Sequence, residues 1–556
     1  MGIERYEWLR AHLRRPVVAA AALLAVYVVL ALMMDPRGYL GTDTGAKVAT
    51  LEAMARSGSL SPDVGYWAEE WDPAGAVHPL YQSKRTQDGS WVAVTTLPLL
   101  EVAAPLYRLA GYRGALLLPM LGALGCSFAA RALARRLGHP DGWSSFWVVG
   151  LTSPIALYAL DFWEHSVGVA LMLASVALLM DGVTGRRGCW RPLAAGALLG
   201  AAASLRSEAI VYALVAVGVA SLVTLVRDRR PGVAVVSGVA SLVGFLPVWV
   251  MNRGLELAVG GASRGVRAVQ AAESATKFAG SRASARVSEG LVTTVGLKGT
   301  ESASWLLGVA LMAAMLVGWR ASRRGDSALF RTCFVLVGVV YLVSVLADLS
   351  FIPGLFIAFP VAIGALLVPA EGTRGVLLGI ALGALPLVWA FQYVGGAGAQ
   401  WGGRYVLASS MMLGVLTITR PAGRDGEVGR ALVVLSLGIT VLGLGWTGVR
   451  TRGIDDVARD LASVDAEVLI VRDAFLLRET GASVLDEQWL TASGDETYAI
   501  AVDVAERSGA RRVAVVEPGA PAPPPTAVPA GWVEAERLRI DFLGDDLGVV
   551  VYELPR

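Results

Sequence analysis

The sequence as a whole contains little charge and little cysteine. Its C-terminal part contains no Gly-rich phosphate-binding motif. Only 17% of its 556 residues are charged and the mean hydropathy is +0.57, whereas soluble globular proteins carry about 25% charged residues. This deficit excludes an ordinary soluble enzyme. The three cysteines, Cys126, Cys189 and Cys333, have no metal-ligand spacing, so they indicate neither a zinc site nor a disulfide framework.

The charges that are present are divided unevenly along the chain. From residue 451 onward there are 10 arginines, no lysine and 20 acidic residues, whereas the first 450 residues carry 38 basic and 26 acidic residues. A basic, apolar body therefore precedes an acidic tail. We predict a membrane domain over residues 1–450 and a soluble domain over residues 451–556.

Long apolar runs recur through the body. The first, "VVAAAALLAVYVVLALMM", follows an Arg-rich N-terminus and is long enough to cross a bilayer core of about 30 Å, which favours an uncleaved anchor over a signal peptide. With it, about thirteen runs meet a hydropathy criterion. The other runs lie near residues 112–131, 143–160, 166–181, 192–205, 209–226, 232–251, 303–319, 329–349, 352–369, 374–394, 402–419 and 431–448.

The arginine distribution predicts the orientation of these spans in the plasma membrane. Connecting segments such as "RALARRLGH" and "VRDRRP" should face the cytoplasm, together with the N-terminus. Residues 35–111, residues 252–302 and the tail are then extracytoplasmic. The tail alternates β-branched runs such as "EVLIV" and "RRVAVV" with helix-like segments, which predicts a small α/β domain.

Polar residues cluster at four places on this predicted extracytoplasmic side, and ionisable groups at membrane depth are costly and usually functional. Each also has a structural explanation: a solvated or capping aspartate, a hydrogen-bonded acid–histidine pair at a helix end, a local ion pair, and an arginine reaching lipid headgroups. The residues, in that order, are Asp43 in "GYLGTDTGAKV", Glu164 and His165 in "DFWEHS", Arg206 and Glu208 in "SLRSEA", and Gln400, Trp401, Arg404 and Tyr405 in "QWGGRY" with its preceding segment.

These motifs resemble those of the GT-C polytopic glycosyltransferases. The likeness consists of an Arg-flanked first span, an Asp in the loop after it, an "LRSE" turn between central spans and a late "QWGGRY", and it is greatest for protein-mannosyltransferase-like bacterial members with a soluble C-terminal domain. Many relatives have a second acid beside the first-loop Asp, whereas Thr42 and Thr44 flank Asp43 here. No cofactor is assigned, and the need for a divalent cation is left open.

The resemblance implies a transferase that moves a hexosyl or pentosyl group from a polyprenyl-phosphate donor to a glycan, lipid or protein acceptor of the cell envelope. It implies that Asp43 is the general base. An arginine would stabilise the departing phosphate, with Arg404 as first choice and Arg206 as second. Tyr405 would accompany them, His165 would donate to the phosphate while Glu164 holds its ring, and three residues would support the site: Glu208, Gln400 and Trp401.

Two other functions are compatible with the sequence. A transporter or lipid flippase would also have many spans and buried charges, but it usually contains an internal repeat with paired broken helices, and we find no such repeat. An inactive scaffold for envelope assembly is the other alternative, because the second acid is missing. No nucleic-acid partner is predicted. The tail holds no nucleophile–base pair, so we expect it to shape acceptor access and perform no chemistry.

Overall fold

The computed structural model describes most of the chain, with gaps. The described residues are 14–39, 41–93, 96–183, 189–226, 229–260, 283–297, 304–347, 352–367, 371–391, 401–419, 426–519, 528, 531–542 and 546–553. They form a large bundle of apolar helices and a small C-terminal domain built on a five-stranded sheet.

Helices make up nearly all of the body. A two-stranded antiparallel ribbon, β1 (Lys84–Arg85) and β2 (Trp91–Val92), lies in the first large loop. The helices are α1 (Pro16–Met33), α2 (Thr42–Ser57), α3 (Leu97–Ala115), α4 (Leu117–Arg136), α5 (Trp143–Thr152), α6 (Ile155–Tyr158), α7 (His165–Val183), α8 (Trp190–Leu205), α9 (Glu208–Val226), α10 (Pro231–Gly260), α11 (Ala283–Val295), α12 (Ser304–Arg324), α13 (Ser327–Ala347), α14 (Leu355–Ala358), α15 (Gly372–Phe391), α16 (Leu407–Ile418) and α17 (Gly426–Ala462).

Seven of the described helices are long and apolar enough to cross a membrane: α1, α4, α9, α10, α12, α15 and α17. Shorter apolar helical stretches lie in α7, in α13 and from Arg404 to Ile418. The chain is therefore a multi-pass membrane protein of the predicted helical class. The long connection between α10 and α11 falls in the predicted second loop, and its residues 261–282 lie outside the described part.

Two of the predicted runs are broken rather than continuous helices. Residues 143–160 divide at Pro154 into α5 and α6, and residues 352–369 divide at Pro360 into α14 and a 3₁₀ helix, Pro360–Leu367. Proline disfavours helical geometry in the residue before it, which accounts for both breaks. Nearly all side chains of α6, α14 and the 3₁₀ helix are buried in the body. Their apolar character thus serves packing within the protein, which hydropathy does not distinguish from contact with lipid.

Helix α2 is buried although it is not apolar overall. One face, with Val48, Leu51 and Met54, packs into the core of the helical body. The opposite face, with Ala46 and Ala49, packs into the core of the C-terminal domain. The helix thus lies between the two cores, and its first turn is held at their junction.

The elements of the C-terminal domain are β3 (Val468–Val471), α18 (Leu476–Glu479), a 3₁₀ helix (Gly481–Leu485), β4 (Trp489–Thr491), α19 (Asp495–Arg507), β5 (Arg512–Pro518), β6 (Val533–Ile540) and β7 (Leu547–Glu553). The strands form a mixed sheet of order β4–β3–β5–β7–β6, in which β3 is parallel to β4 and β5, and β7 is antiparallel to β5 and β6. Side chains of β3 alternate between the two sheet faces, so one set packs on α19 and the other towards α2. Helix α17 runs unbroken across the predicted domain boundary at residue 450.

Candidate active site at the junction of the two cores

The first turn of α2 presents two charged groups to the same side. Asp43 and Lys47 are four residues apart in the helix, so their side chains lie on one face. The Asp43 side chain is 48% exposed, whereas the Lys47 side chain is only 3% exposed. An accessible carboxylate therefore stands above a buried ammonium group.

The loop that precedes α7 is bonded to this turn of α2. Thr44 Oγ1 donates a hydrogen bond to Asp161 Oδ1 at 2.7 Å, and Lys47 Nζ donates to Glu164 Oε2 at 2.5 Å. All four of these residues are buried. The position of Asp43 is consequently fixed by polar contacts as well as by apolar packing.

Glu164 also connects α2 to the turn between α8 and α9. Arg206 Nη1 donates to Glu164 Oε1 at 3.1 Å, and Arg206 Nε donates to Glu208 Oε1 at 2.8 Å. Lys47, Glu164, Arg206 and Glu208 thus form a continuous buried series of alternating charges, which we call the ion chain. The ion pair at Arg206–Glu208 agrees with one structural explanation from the sequence, whereas the acid–histidine pair does not form, because the Glu164 carboxylate is bonded to Lys47 and Arg206.

Arg404 contacts Asp43 from another part of the chain. It begins a 3₁₀ turn, Arg404–Val406, after Gly402 and Gly403, which both have positive φ angles that favour glycine. Its guanidinium Nη1 lies 3.9 Å from Asp43 Oδ2. Because its side chain is only 10% exposed, the guanidinium is directed into the protein and not towards bulk solvent.

The ring of Tyr405 lies beside two guanidinium groups. The guanidinium carbons of Arg404 and Arg206 are 4.8 and 5.1 Å from the ring centroid, and that of Arg404 is also 5.8 Å from the Trp163 ring. Cations are attracted to aromatic faces at such distances. The Tyr405 ring therefore lies next to both guanidinium groups, of which that of Arg404 is the one beside Asp43.

A third arginine comes from the C-terminal domain. Arg478 Nη2 lies 3.3 Å from Asp43 Oδ1, and its Nη1 donates to the backbone carbonyl of Tyr81 at 3.1 Å. Asp43 is thus contacted on one oxygen by Arg404 and on the other by Arg478. The sequence analysis did not place any residue of the tail in the site.

The surroundings of the two aspartates act on their pKa values in opposite directions. Burial raises the pKa of Asp43, but Lys47, Arg478 and Arg404 together outweigh it, so the pKa lies below the ordinary value. Burial raises the pKa of Asp161 to about 6, and the hydrogen bond from Thr44 reduces this effect only in part. Asp43 is therefore ionised over a wide pH range.

His165 occupies a different environment from the one predicted. Its ring lies 4.9 Å from the Tyr158 ring and 4.6 Å from the Trp163 ring, and within the described residues neither ring nitrogen has a hydrogen-bond partner. The prediction that Glu164 holds the imidazole is wrong for this structure, because the Glu164 carboxylate is bonded to Lys47 and Arg206.

Trp401 is buried, and its carbonyl accepts a hydrogen bond from the Tyr158 hydroxyl at 3.0 Å. This bond ties the segment before Arg404 to α6. The supporting role of the Trp401 side chain stays a prediction. Gln400 lies outside the described residues.

The carboxylates of the site do not form a set of metal ligands. Among the residues that the structure describes, no group of three or more His, Cys, Asp or Glu side chains is arranged to hold a metal ion. Asp43, Glu164 and Glu208 are each contacted by a lysine or an arginine. The residues present therefore do not fit a divalent cation.

Comparison with solved structures shows the fold. The chain is similar to ArnT from Cupriavidus metallidurans bound to undecaprenyl phosphate, with a TM-score of 0.51 and 13% identity over 95% of this chain and 97% of that one. The chain has a GT-C fold. ArnT in the apo state aligns with a TM-score of 0.48 at 13% identity over the same shares. The archaeal oligosaccharyltransferase AglB from Archaeoglobus fulgidus, with an inhibitory peptide and a dolichol-phosphate, aligns at 0.44 and 12% identity over 89% of this chain and 69% of that one. No family model and no curated protein matches the sequence.

The GT-C fold confirms the predicted class, a polytopic helical body with a small C-terminal α/β domain. Within it, the structure brings together Asp43, Arg404, Tyr405, Arg206, Glu164 and Glu208, which the sequence placed far apart. Three participating residues were not predicted as site residues: Lys47, Asp161 and Arg478. Lys47 is one of only four lysines among 48 basic residues and follows Asp43 by one helical turn. Asp161 belongs to the same "DFWEHS" motif as Glu164.

Proposed function

We propose that the protein is a membrane glycosyltransferase that moves a sugar from a polyprenyl-phosphate donor to an acceptor hydroxyl of the cell envelope. The observation that carries this proposal is the placement of Asp43. Its half-exposed carboxylate lies 3.9 Å from the guanidinium of Arg404, which shares the Tyr405 ring with Arg206. A base and an anion site thus adjoin in a chain with a GT-C fold.

The resemblance to GT-C glycosyltransferases implies a single displacement at the anomeric carbon. The acceptor hydroxyl oxygen forms a bond to that carbon while its proton passes to an oxygen of Asp43. The bond from the anomeric carbon to the phosphate oxygen breaks, and the polyprenyl phosphate leaves with the electron pair. Arg404 would stabilise the negative charge that develops on this leaving group, and Arg206 is the alternative phosphate contact. Direct displacement inverts the anomeric configuration.

The nature of the donor is inferred from the fold and from the charge of the site. The structurally similar ArnT is bound to undecaprenyl phosphate. In this chain, guanidinium groups match a phosphate by planar, paired hydrogen bonds, and the site adjoins apolar helices that a lipid chain could follow. A polyprenyl phosphate satisfies both requirements.

The other site residues then have supporting roles. Glu164 and Glu208 hold Arg206, and Lys47 compensates the Glu164 charge. Tyr405 and Trp163 position the arginines through their rings. His165 lies in the aromatic stack of Tyr158 and Trp163, and its donation to the phosphate stays a prediction.

The substitution Asp43→Asn tests the proposal. The amide keeps the shape of the carboxylate but accepts no proton, so turnover should fall by a factor of ~10²–10⁴ while binding of undecaprenyl phosphate persists. The measurement is release of undecaprenyl phosphate from a panel of undecaprenyl-phosphate-linked pentoses and hexoses, with purified, monodisperse protein and a mixture of envelope acceptors.

Asp486→Asn is the matched control for this test. Asp486 is an exposed carboxylate that also pairs with an arginine, Arg56, at the same junction of the two cores. It should retain wild-type turnover. If Asp43→Asn transferred sugar normally, the base would not be at this position. If wild-type protein bound undecaprenyl phosphate but released none from any donor, the transferase proposal would fail in favour of a flippase or an inactive scaffold.

The proposed location of the reaction is the extracytoplasmic face of the plasma membrane, with the N-terminus in the cytoplasm. The arginine-rich connections of the sequence support it. A reporter enzyme that is active only outside the cytoplasm should be active when it is fused after residue 556. The same reporter fused near Arg136 should be inactive. The reverse pattern would place Asp43 on the cytoplasmic side and contradict the proposed face.

A further inference from the structure

The C-terminal domain approaches the first turns of α2 more closely than any side chain would permit. A Cβ atom at Gly45 would overlap the carbonyl oxygen of Arg478, so glycine is required for this contact. Arg478 belongs to α18, and Glu479 after it is anchored to α17 by Arg450 at 2.7 Å. The backbone of α18 is therefore seated on α2 two residues from Asp43.

The side chain of Arg478 is held by at least three partners. Its Nη1 donates to the Tyr81 carbonyl at 3.1 Å and to Gln82 Oε1 at 3.4 Å, and its Nη2 donates to Asp43 Oδ1 at 3.3 Å. Only 3% of the side chain is exposed. A buried guanidinium with defined partners has little freedom to leave Asp43 while the C-terminal domain remains docked.

Attachment of the domain does not by itself explain this contact. Arg56, on the same helix, already binds Asp486 of the C-terminal domain through two hydrogen bonds of 2.7 and 3.1 Å. That pair is exposed and lies at the far end of α2 from Asp43, as a surface tie between the domains would. Arg478, by contrast, is buried and directed at the half-exposed side chain of Asp43.

We propose that Arg478 is a positioning residue of the reaction centre, through which the docked C-terminal domain holds Asp43 Oδ1. Asp43 Oδ2, which faces Arg404, is then the oxygen that takes the proton from the hydroxyl of the acceptor substrate. This inference rests on the proposed role of Asp43 as the base. The C-terminal domain, expected from sequence only to shape acceptor access, thereby supplies part of the site.

The charges around Asp43 give the direction of the effect. Lys47 faces it from its own helix, Arg404 from the 3₁₀ turn, Arg478 from α18 and Glu164 from the loop before α7. Burial and Glu164 raise the pKa of Asp43, and the three cations lower it. Removal of Arg478 leaves two cations against the same burial, so the pKa of Asp43 rises and the carboxylate protonates at higher pH.

The first test needs no substrate. A water-soluble carbodiimide activates a carboxyl group, an added amine displaces the urea to form an amide, and peptide mapping by mass spectrometry gives the pH dependence of labelling at Asp43. With the full-length protein in detergent, Arg478→Gln should move this pH profile to higher pH. Arg478→Lys keeps the charge and should restore most of the wild-type profile, and Arg56→Gln should leave it unchanged. Identical profiles for wild type and Arg478→Gln would overturn the proposal.

The second test measures transfer with the same variants. Arg478→Gln should lower kcat by about 10- to 100-fold, since a small displacement of a reacting group costs up to this factor. The acidic limb of its pH–rate profile should move to higher pH while binding of undecaprenyl phosphate stays normal. Equal losses in Arg478→Gln and Arg56→Gln with an unmoved pH profile would reduce Arg478 to a structural contact. Absence of transfer by wild-type protein would refute the proposed function, and the labelling experiment would still decide the coupling of Arg478 to Asp43.

Discussion

Two groups of charges lie within one site, and they differ in how tightly they are paired. In the ion chain the contacts between lysine, arginine and glutamate are 2.5–3.1 Å long and every member is buried. Around Asp43 the contacts are 3.3 and 3.9 Å long and half of the carboxylate is exposed. Within the described residues, Glu208 Oε2 has no hydrogen-bond partner, but it is buried, whereas the Asp43 side chain is half exposed and can still receive a proton.

This contrast distinguishes charged groups that fix the geometry of the site from groups that can take part in the reaction. Charges that neutralise one another inside a protein fix geometry, because the loss of one partner leaves the other buried and unpaired. A carboxylate that is contacted loosely by two arginines keeps its charge and its access. We therefore regard Glu164, Arg206 and Glu208 as the support of the site and Asp43 with Arg404 as its reacting part.

Among the variants that test this comparison, Glu164→Gln is expected to have the largest effect, a loss of stability. A neutral amide cannot compensate both Lys47 and Arg206, so the variant should lose about 3–5 kcal/mol of stability, as is typical when one partner of a buried ion pair is removed. Thermal unfolding in detergent and the monodisperse fraction in size-exclusion chromatography measure this loss.

Glu52→Gln is the matched control on the same helix as Lys47. Glu52 is partly exposed and accepts hydrogen bonds from the Arg56 side chain and the Tyr107 hydroxyl. The glutamine oxygen can still accept from Tyr107, so the substitution should cost less than about 1 kcal/mol. If Glu164→Gln were as stable as wild type but inactive, Glu164 would belong with the reacting groups, as the sequence predicted.

The sequence predicted the fold class and most of the charged residues that the structure brings together. It did not predict which of them are tightly paired and which are accessible. Arg404, Arg206 and Asp43 could be selected because charges flanking apolar runs are rare and costly. Their division into supporting and reacting groups could not be predicted, because it depends on which carboxylate oxygen faces which nitrogen. The sequence neighbours Glu164 and His165 illustrate this: adjacency suggested a pair, but the helix start at His165 directs the two side chains to different partners.

Arg478 shows a second limit of sequence reasoning. Its contact with Asp43 joins residues 435 positions apart, and nothing in "FLLRETG" distinguishes this arginine from the nine others of the tail. Likewise, the apolar run at 352–369 reads as a span although its two short helices are buried by neighbouring helices. Both features arise only when the C-terminal domain and the broken helices pack on the body.

A smaller effect, specific to donor binding, is expected from Arg404→Lys. Lysine keeps the positive charge but loses the planar fork that binds phosphate bidentately and stacks on the Tyr405 ring. A charged hydrogen bond contributes about 1.5–3 kcal/mol, so affinity for undecaprenyl phosphate should fall by about 10- to 100-fold with turnover, while thermal stability stays near that of wild type. Binding is measured directly, by titration of the purified protein with undecaprenyl phosphate in detergent micelles.

Arg206→Lys sharpens the same comparison, because Arg206 already donates to Glu164 and Glu208 and lies in the ion chain. A lysine there cannot reproduce both hydrogen bonds, so the variant should lose thermal stability before it loses donor affinity. Arg404→Lys and Arg206→Lys should thus fail in different measurements. If instead Arg404→Lys bound undecaprenyl phosphate normally and a stable Arg206→Lys did not, the phosphate contact would belong to Arg206, and the ion chain would be part of the anion site and not only its support.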